Sequence, residues 1–192
     1  RTVGWYMGFK KYKYEINQED IIQDISYDVL PDKDEIYKEF KNCAEIIKKY
    51  KLRCSTHPDQ YTVPASGNPD VVKKSIIDLN CHGLAMDLFE LPQSYKAPIN
   101  IHMNSYKGYD IQTIASRFIN VYKQLNNSVK SRLVLENEDK PNSWNTKQLY
   151  TYIYEQVGIP ITYDSLHHRN NTGGLASYEA YNLAKSTWNN YT

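Results

Sequence analysis

The chain has 192 residues, 41% of them hydrophobic and 23% charged, which suits one globular domain with a real core. No apolar run approaches the ~20 residues a membrane helix needs, and no basic-then-apolar leader opens the sequence. The formal net charge of +1 does not announce a nucleic-acid binder by itself. Arg1 stands where an initiator methionine would, so a natural N-terminus further upstream is expected. The clusters Lys10, Lys11, Lys13 and Lys48, Lys49, Lys51 read first as solvated helix ends and loops. Cys43, Cys54 and Cys81 show no CxxC spacing, which points to free thiols in a reducing, intracellular compartment.

In chain order, β-rich runs at residues 3–7, 22–27, 52–56, 99–103, 132–135 and 159–163 alternate with helical patterns. In 33–50, Ile36, Phe40, Cys43, Ile46 and Ile47 recur at three- and four-residue spacing. The stretch 69–91 opens with Asn68 as N-cap and Pro69 at the first helical position. Helices are also expected over 111–125, 145–157 and 177–186; Gly158-Ile159-Pro160 closes one of them and opens the next strand. Such alternation predicts parallel strands with right-handed crossovers, hence an α/β fold. The first strand lacks a following GxGxxG, which disfavours a dinucleotide-binding sheet. A (β/α)8 barrel of TIM type remains, incomplete here because six candidate strands fall short of eight.

Polar residues at the strand ends carry the chemistry. The apolar runs end in His57, His102, Glu136 and Asp164, with His167 three residues after the last. Parallel strands bring their C-terminal ends to one face, where barrel active sites are built. Imidazoles and carboxylates gathered there form a ligand mix for zinc, manganese or iron, and carboxylates suit bridging of two ions. Any one of these residues alone would read as a cap or a satisfied histidine; five at successive strand ends read as a metal site. His82, inside a helical pattern, reads as structural, whereas His168 stands equally as a ligand or as a residue supporting one.

The motifs around these residues resemble those of the ultraviolet damage endonuclease family. His57-Pro58-Asp59-Gln60-Tyr61 resembles its His-Pro-x-Gln-aromatic motif, and Leu135-Glu136-Asn137-Glu138-Asp139 its Leu-Glu-Asn-Asp-Asp/Glu strand end. Ile101-His102 with Tyr106-Lys107-Gly108 is similar to the family's Ile-His-x-Gly-Gly-x-Tyr-Gly, and Asp164-Ser165-Leu166-His167-His168 to its Asp-x-x-His-His. The resemblance implies a barrel endonuclease that nicks damaged double-stranded DNA 5′ to ultraviolet photoproducts. It implies divalent metal ions, manganese first, with zinc or magnesium as alternatives. By position His57, His102 and Glu136 match metal ligands, with Glu136 as the bridge, and Asp164 and His167 match ligands of a neighbouring ion. Glu136, Asp164 and His167 form the expected catalytic set. Gln60 and Tyr61 match the pair that probes the duplex where a damaged dinucleotide is flipped out, an amide replacing base hydrogen bonds and a ring filling the stack. Trp5, in a Val3-Gly4-Trp5 that resembles the family's Leu-Gly-Tyr, and Asn137 complete the expected substrate contacts.

The departures are specific. After Ser26-Tyr27-Asp28-Val29-Leu30-Pro31 the family has a histidine; here Asp32, Lys33, Asp34 and Glu35 follow. Asn104-Ser105 replaces Gly-Gly, and the first crossover is short. The family's next strand carries a lysine, known there as carboxylated, a histidine and a serine after a Trp like Trp188; the sequence stops at Thr192, before them. Two other readings stand beside the endonuclease: a related metal-dependent barrel (abasic-site endonuclease or sugar isomerase), and a truncated form that binds metal or DNA without cutting.

Overall fold

A computed structural model describes residues 28, 30–104 and 108–188; the runs expected at 3–7 and 22–27, and Trp5, lie outside them. Helix α1 covers Lys33–Tyr50 and buries Phe40 and Ala44, with Phe40 packed against Ala85 of the next helix. Lys51, at φ 51°, ends it in the left-handed conformation. Helix α2, Pro69–Leu88, starts where Asn68 accepts the Asp70 amide and Pro69 presets the first turn. It stops three residues before the expected 91, because Pro92 disfavours a helical Leu91 and Glu90 turns to φ 56°.

Strand β1, Ile99–Ile101, is followed by α3, Ile111–Gln124, and the short α4, Asn127–Lys130. Strand β2, Leu133–Glu136, leads to a helical stretch over 146–157: α5 (Thr146–Leu149), a π-turn (Tyr150–Tyr154) and α6 (Glu155–Val157). Gly158 closes it at φ 72°, a conformation glycine adopts without a Cβ penalty. Strand β3, Ile161–Thr162, then α7, Ser165–Asn170, and α8, Ser177–Ser186, complete the described chain.

The sheet is parallel in the order β1-β2-β3, as the strand–helix alternation requires. Ile99 and Ile101 pair with Leu133 and Leu135, and Leu135 pairs with Ile161, placing these apolar side chains on the helix-covered face. The alternate residues Asn100, Val134 and Glu136 therefore share the other face, and His102 continues it beyond β1.

The expected strand at 52–56 reduces to one bridge, Thr56 to Ile99, in which Thr56 N donates to Pro98 O at 3.0 Å and Asn100 N to Thr56 O at 2.9 Å. The next rung back would need a donor from Pro98, which has no N–H; the ladder stops there.

The two ends of the sheet differ. At the N-terminal end Arg132 is fully buried. Its guanidinium donates to Pro92 O at 3.0 Å, Leu91 O at 2.7 Å, Ser128 Oγ at 2.6 Å and Asp87 Oδ1 at 2.7 Å. At the far edge, Leu135 N donates to Pro160 O, so the Ile161 amide and carbonyl point away from β2. Thr187 Oγ1 accepts that amide at 2.9 Å, and Trp188 Nε1 donates to that carbonyl at 2.8 Å.

Candidate metal centre at the strand ends

The side chains expected at the strand ends meet at one place. His57, His102 and Glu136 offer ligand atoms that all lie within 4.8 Å of one another, and so do Glu136, Asp164 and His167. Glu136 belongs to both groups. His57 Nε2 is 3.6 Å from its Oε2, and His167 Nδ1 is 3.7 Å from its Oε1. The His102 ring lies between the others, with centroids 5.1 Å from His57 and 5.4 Å from His167.

Backbone carbonyls orient two of the imidazoles. His57 Nδ1 sits 2.8 Å from Pro58 O, and His167 Nδ1 2.8 Å from Asn137 O. At His57 a proton donated along that contact leaves Nε2, the nitrogen that faces Glu136, with a free lone pair, the tautomer that metal-binding histidines use. Among the described residues, His102 Nδ1 is buried with no close hydrogen-bond partner, and the ring's neighbours are His57, His167 and Glu136.

Charge is arranged to match. Burial would raise the Glu136 carboxyl, but His57, His102 and the Asn100 amide outweigh it and hold the group below the usual carboxylate range. The Glu136 carboxylate beside it raises the His57 imidazole, whereas burial lowers that of His102. Asp164 behaves like Glu136: burial opposes ionisation, and the backbone and charge of His167 overcome it. Its Oδ1 accepts the amides of Leu166 at 2.7 Å and His167 at 2.9 Å, capping α7 and fixing where His167 starts.

Gln60 and Tyr61 are solvent-exposed on the loop after His57, with Tyr61 at 71% of its full exposure. Asn137, expected to touch substrate, is instead fully buried. Its amide donates to Asp164 O at 2.9 Å and its carbonyl accepts Asp164 N at 2.8 Å, so it splints the ends of β2 and β3. Among the described residues, His168 stands outside both ligand groups, buried against Tyr163 with neither ring nitrogen hydrogen-bonded.

Sequence reasoning missed Asn100, whose amide donates to Glu136 Oε2. A polar residue in the middle of Ile-Asn-Ile was the available signal. It also missed Glu138, which burial pushes up to about 7 and which holds the Asn104 amide beyond β1. Asn104 has φ 65°, a left-handed position that asparagine tolerates where most side chains do not.

Fold and site together define a class: a parallel α/β chain of barrel type with a candidate metal-binding group on the C-terminal face of its sheet. A family model described as UV-endonuclease UvdE matches residues 24–192, so the chain belongs to that family. It is 36% identical over 159 residues to a UV DNA damage endonuclease of Clostridium perfringens, covering 79% of this chain and 37% of the relative. A UV-damage endonuclease of Neurospora crassa is 37% identical over 118 residues, 60% of this chain and 17% of that protein. The solved structure titled SacUVDE superposes with TM-score 0.73 at 31% identity, covering 82% of this chain and 52% of that one. A D-tagatose 3-epimerase-like protein shares the fold alone, with TM-score 0.59 at 16% identity over 77% of this chain and 57% of that one. The chain thus spans well under half the length of the first two relatives. The incomplete barrel read from the sequence agrees with these neighbours.

Proposed function

We propose that this chain carries the metal-binding and damage-reading part of an endonuclease that nicks double-stranded DNA 5′ to ultraviolet photoproducts. The observation that carries the reading is Glu136, shared by two groups of potential ligands on the face that also presents Gln60 and Tyr61. The donor set of three imidazoles and two carboxylates fits divalent manganese, with zinc or magnesium as the alternatives. His57, His102 and Glu136 would hold one ion, and Glu136, Asp164 and His167 its neighbour. Bound there, such ions would supply Lewis-acid polarisation of the phosphodiester and neutralise charge developing on it.

The chain's own residues do the rest. Glu136 and Asp164, both held ionised, supply the negative charge that ligates at neutral pH. Pro58 O and Asn137 O aim the imidazoles of His57 and His167. Asn137 keeps the strand ends at a fixed separation, so its expected role in contacting substrate gives way to one of orientation. Gln60 and Tyr61, free of the core, reach the duplex. No described helix is long and apolar enough to cross a membrane, and an intracellular place of action goes with the DNA substrate.

The deciding experiment incubates the chain with an irradiated duplex oligonucleotide and manganese, with and without a chelator. Metal-dependent nicking beside the photoproduct is expected. Because the chain spans only part of its relatives, binding of damaged duplex without nicking is the second outcome to score; it would identify a binding form. Neither binding nor nicking would end the DNA reading and return the related sugar isomerases to consideration.

A further inference from the structure

The loop 57–61 leaves the sheet at Thr56 and re-enters the buried protein at Thr62. Both stems are gripped by one face of α2. Ser75, Asp78 and His82 follow at spacings of three and four residues, which align them along the helix. Ser75 Oγ accepts the Val63 amide at 2.8 Å. Asp78 Oδ2 accepts the Thr62 hydroxyl at 2.5 Å. His82 Nδ1 lies 2.8 Å from Thr56 Oγ1, and its Nε2 lies 3.9 Å from Asp78 Oδ2. The polar stripe thus bonds the residue before the loop and the two residues after it. Inside the loop, Asp59 Oδ1 accepts the Tyr61 amide at 2.7 Å, so a displaced stem would carry Tyr61 with it.

A helix facing a core gains little from a polar face of this kind unless each group is satisfied. Here Ser75, Asp78 and His82 each have a partner on the stems of this one loop, and Ser75 Oγ also donates to Val71 O within the helix. Burial lowers the His82 imidazole, with Asp78 opposing and His57 adding to the shift, so the ring is neutral and bonds Thr56 through one nitrogen. We infer that Ser75, Asp78 and His82 are positioning residues, a clamp that holds Gln60 and Tyr61 in place against the Glu136 centre and sets how well damaged duplex is told from intact. The inference rests on the function proposed above, and it concerns residues that would touch neither metal nor DNA.

The test uses the 192-residue chain with Asp78→Ala, Asp78→Asn and the near-isosteric Thr62→Val. Amide hydrogen exchange is measured at Tyr61, Thr62 and Val63. Binding is measured to a duplex with one photoproduct and to the same duplex undamaged. Loss of the bond should speed exchange at those amides about tenfold, the scale of one hydrogen bond, while the amides of β1 and β2 stay as they were. The damaged-to-undamaged affinity ratio should fall about five- to tenfold with manganese content unchanged, and Asp78→Asn, which keeps an acceptor for Thr62, should restore most of it. Exchange that quickens evenly through the protein, or loosens at the loop with the ratio untouched, overturns the clamp. A parent chain that binds both duplexes alike removes the recognition reading instead. The exchange measurement then still decides whether the stripe holds the loop.

Discussion

Arg132 and Glu136 stand four residues apart at opposite ends of β2, both charged and both buried. Around Arg132 every donor contact runs to an oxygen that belongs to the fold: Leu91, Pro92, Ser128 and Asp87. Around Glu136 the neighbours are His57, His102 and His167, groups able to bind something else. A buried charge whose partners are saturated holds structure; one whose partners keep spare lone pairs holds a ligand. The same strand carries a charge of each kind because its two ends face different companies.

Arg132→Ala should give the largest effect. It leaves the carbonyls of Leu91, Pro92 and Ser128 without that donor and opens a hole, at a cost of about 3–5 kcal/mol, roughly 1 kcal/mol or more for each unsatisfied group. Urea denaturation measures it; a loss below about 1 kcal/mol would deny that this end is structural. Glu136→Gln reverses the pattern. Shape and the Asn100 neighbour are kept while the charge goes, so manganese affinity by calorimetric titration should fall by at least about 10–100-fold, the loss seen when even an outer partner of a ligand is removed. Thermal stability should stay close to that of the parent; a collapse of the fold instead would put Glu136 in the same category as Arg132.

The joint change Gln60→Ala, Tyr61→Ala should weaken binding to photoproduct duplex by about 1–3 kcal/mol, the scale of an aromatic stacking contact. Metal content should not move, since neither side chain is placed to ligate. Glu138 gives the smallest effect and a pH signature. Its carboxyl rises from 4.5 unfolded to about 7 folded, so the folded form retains a proton that the unfolded form has lost. Stability from this group is therefore full at low pH and declines between those two values. Glu138→Gln should stabilise by about 1–2 kcal/mol at pH 8 and by little at pH 4. A gain that is equal at both pH values would show that ionisation is not the cause.

Much of this was legible in residues. The spacing of Ile36, Phe40, Cys43, Ile46 and Ile47 announces α1, although Cys43 and Ile46 are exposed, and Asn68-Pro69 marks the start of α2, because caps and periodicity are local. His57, His102, Glu136, Asp164 and His167 were legible for a global reason: parallel strands deliver their ends to one face whatever the loops do. What stayed hidden depends on partners distant in sequence. The run at 52–56 looks like a strand, yet its ladder ends at a proline in another segment. The π-turn at Tyr150–Tyr154 adds a residue to a turn without changing the apolar pattern that announces the helix. Asn137 reads as a motif residue available to substrate, and only the closeness of β3 turns its amide inward.

Thr187 and Trp188 have a consequence for the company this molecule keeps. A sheet edge recruits further strands through outward amides and carbonyls, and at Ile161 both are already occupied by side chains from beyond α8. A stray extended peptide, or a second molecule approaching edge-on, meets a hydroxyl and an indole where it would need a free backbone. Among the described residues, those two side chains close the outward backbone of Ile161, and Thr187→Val would free its amide.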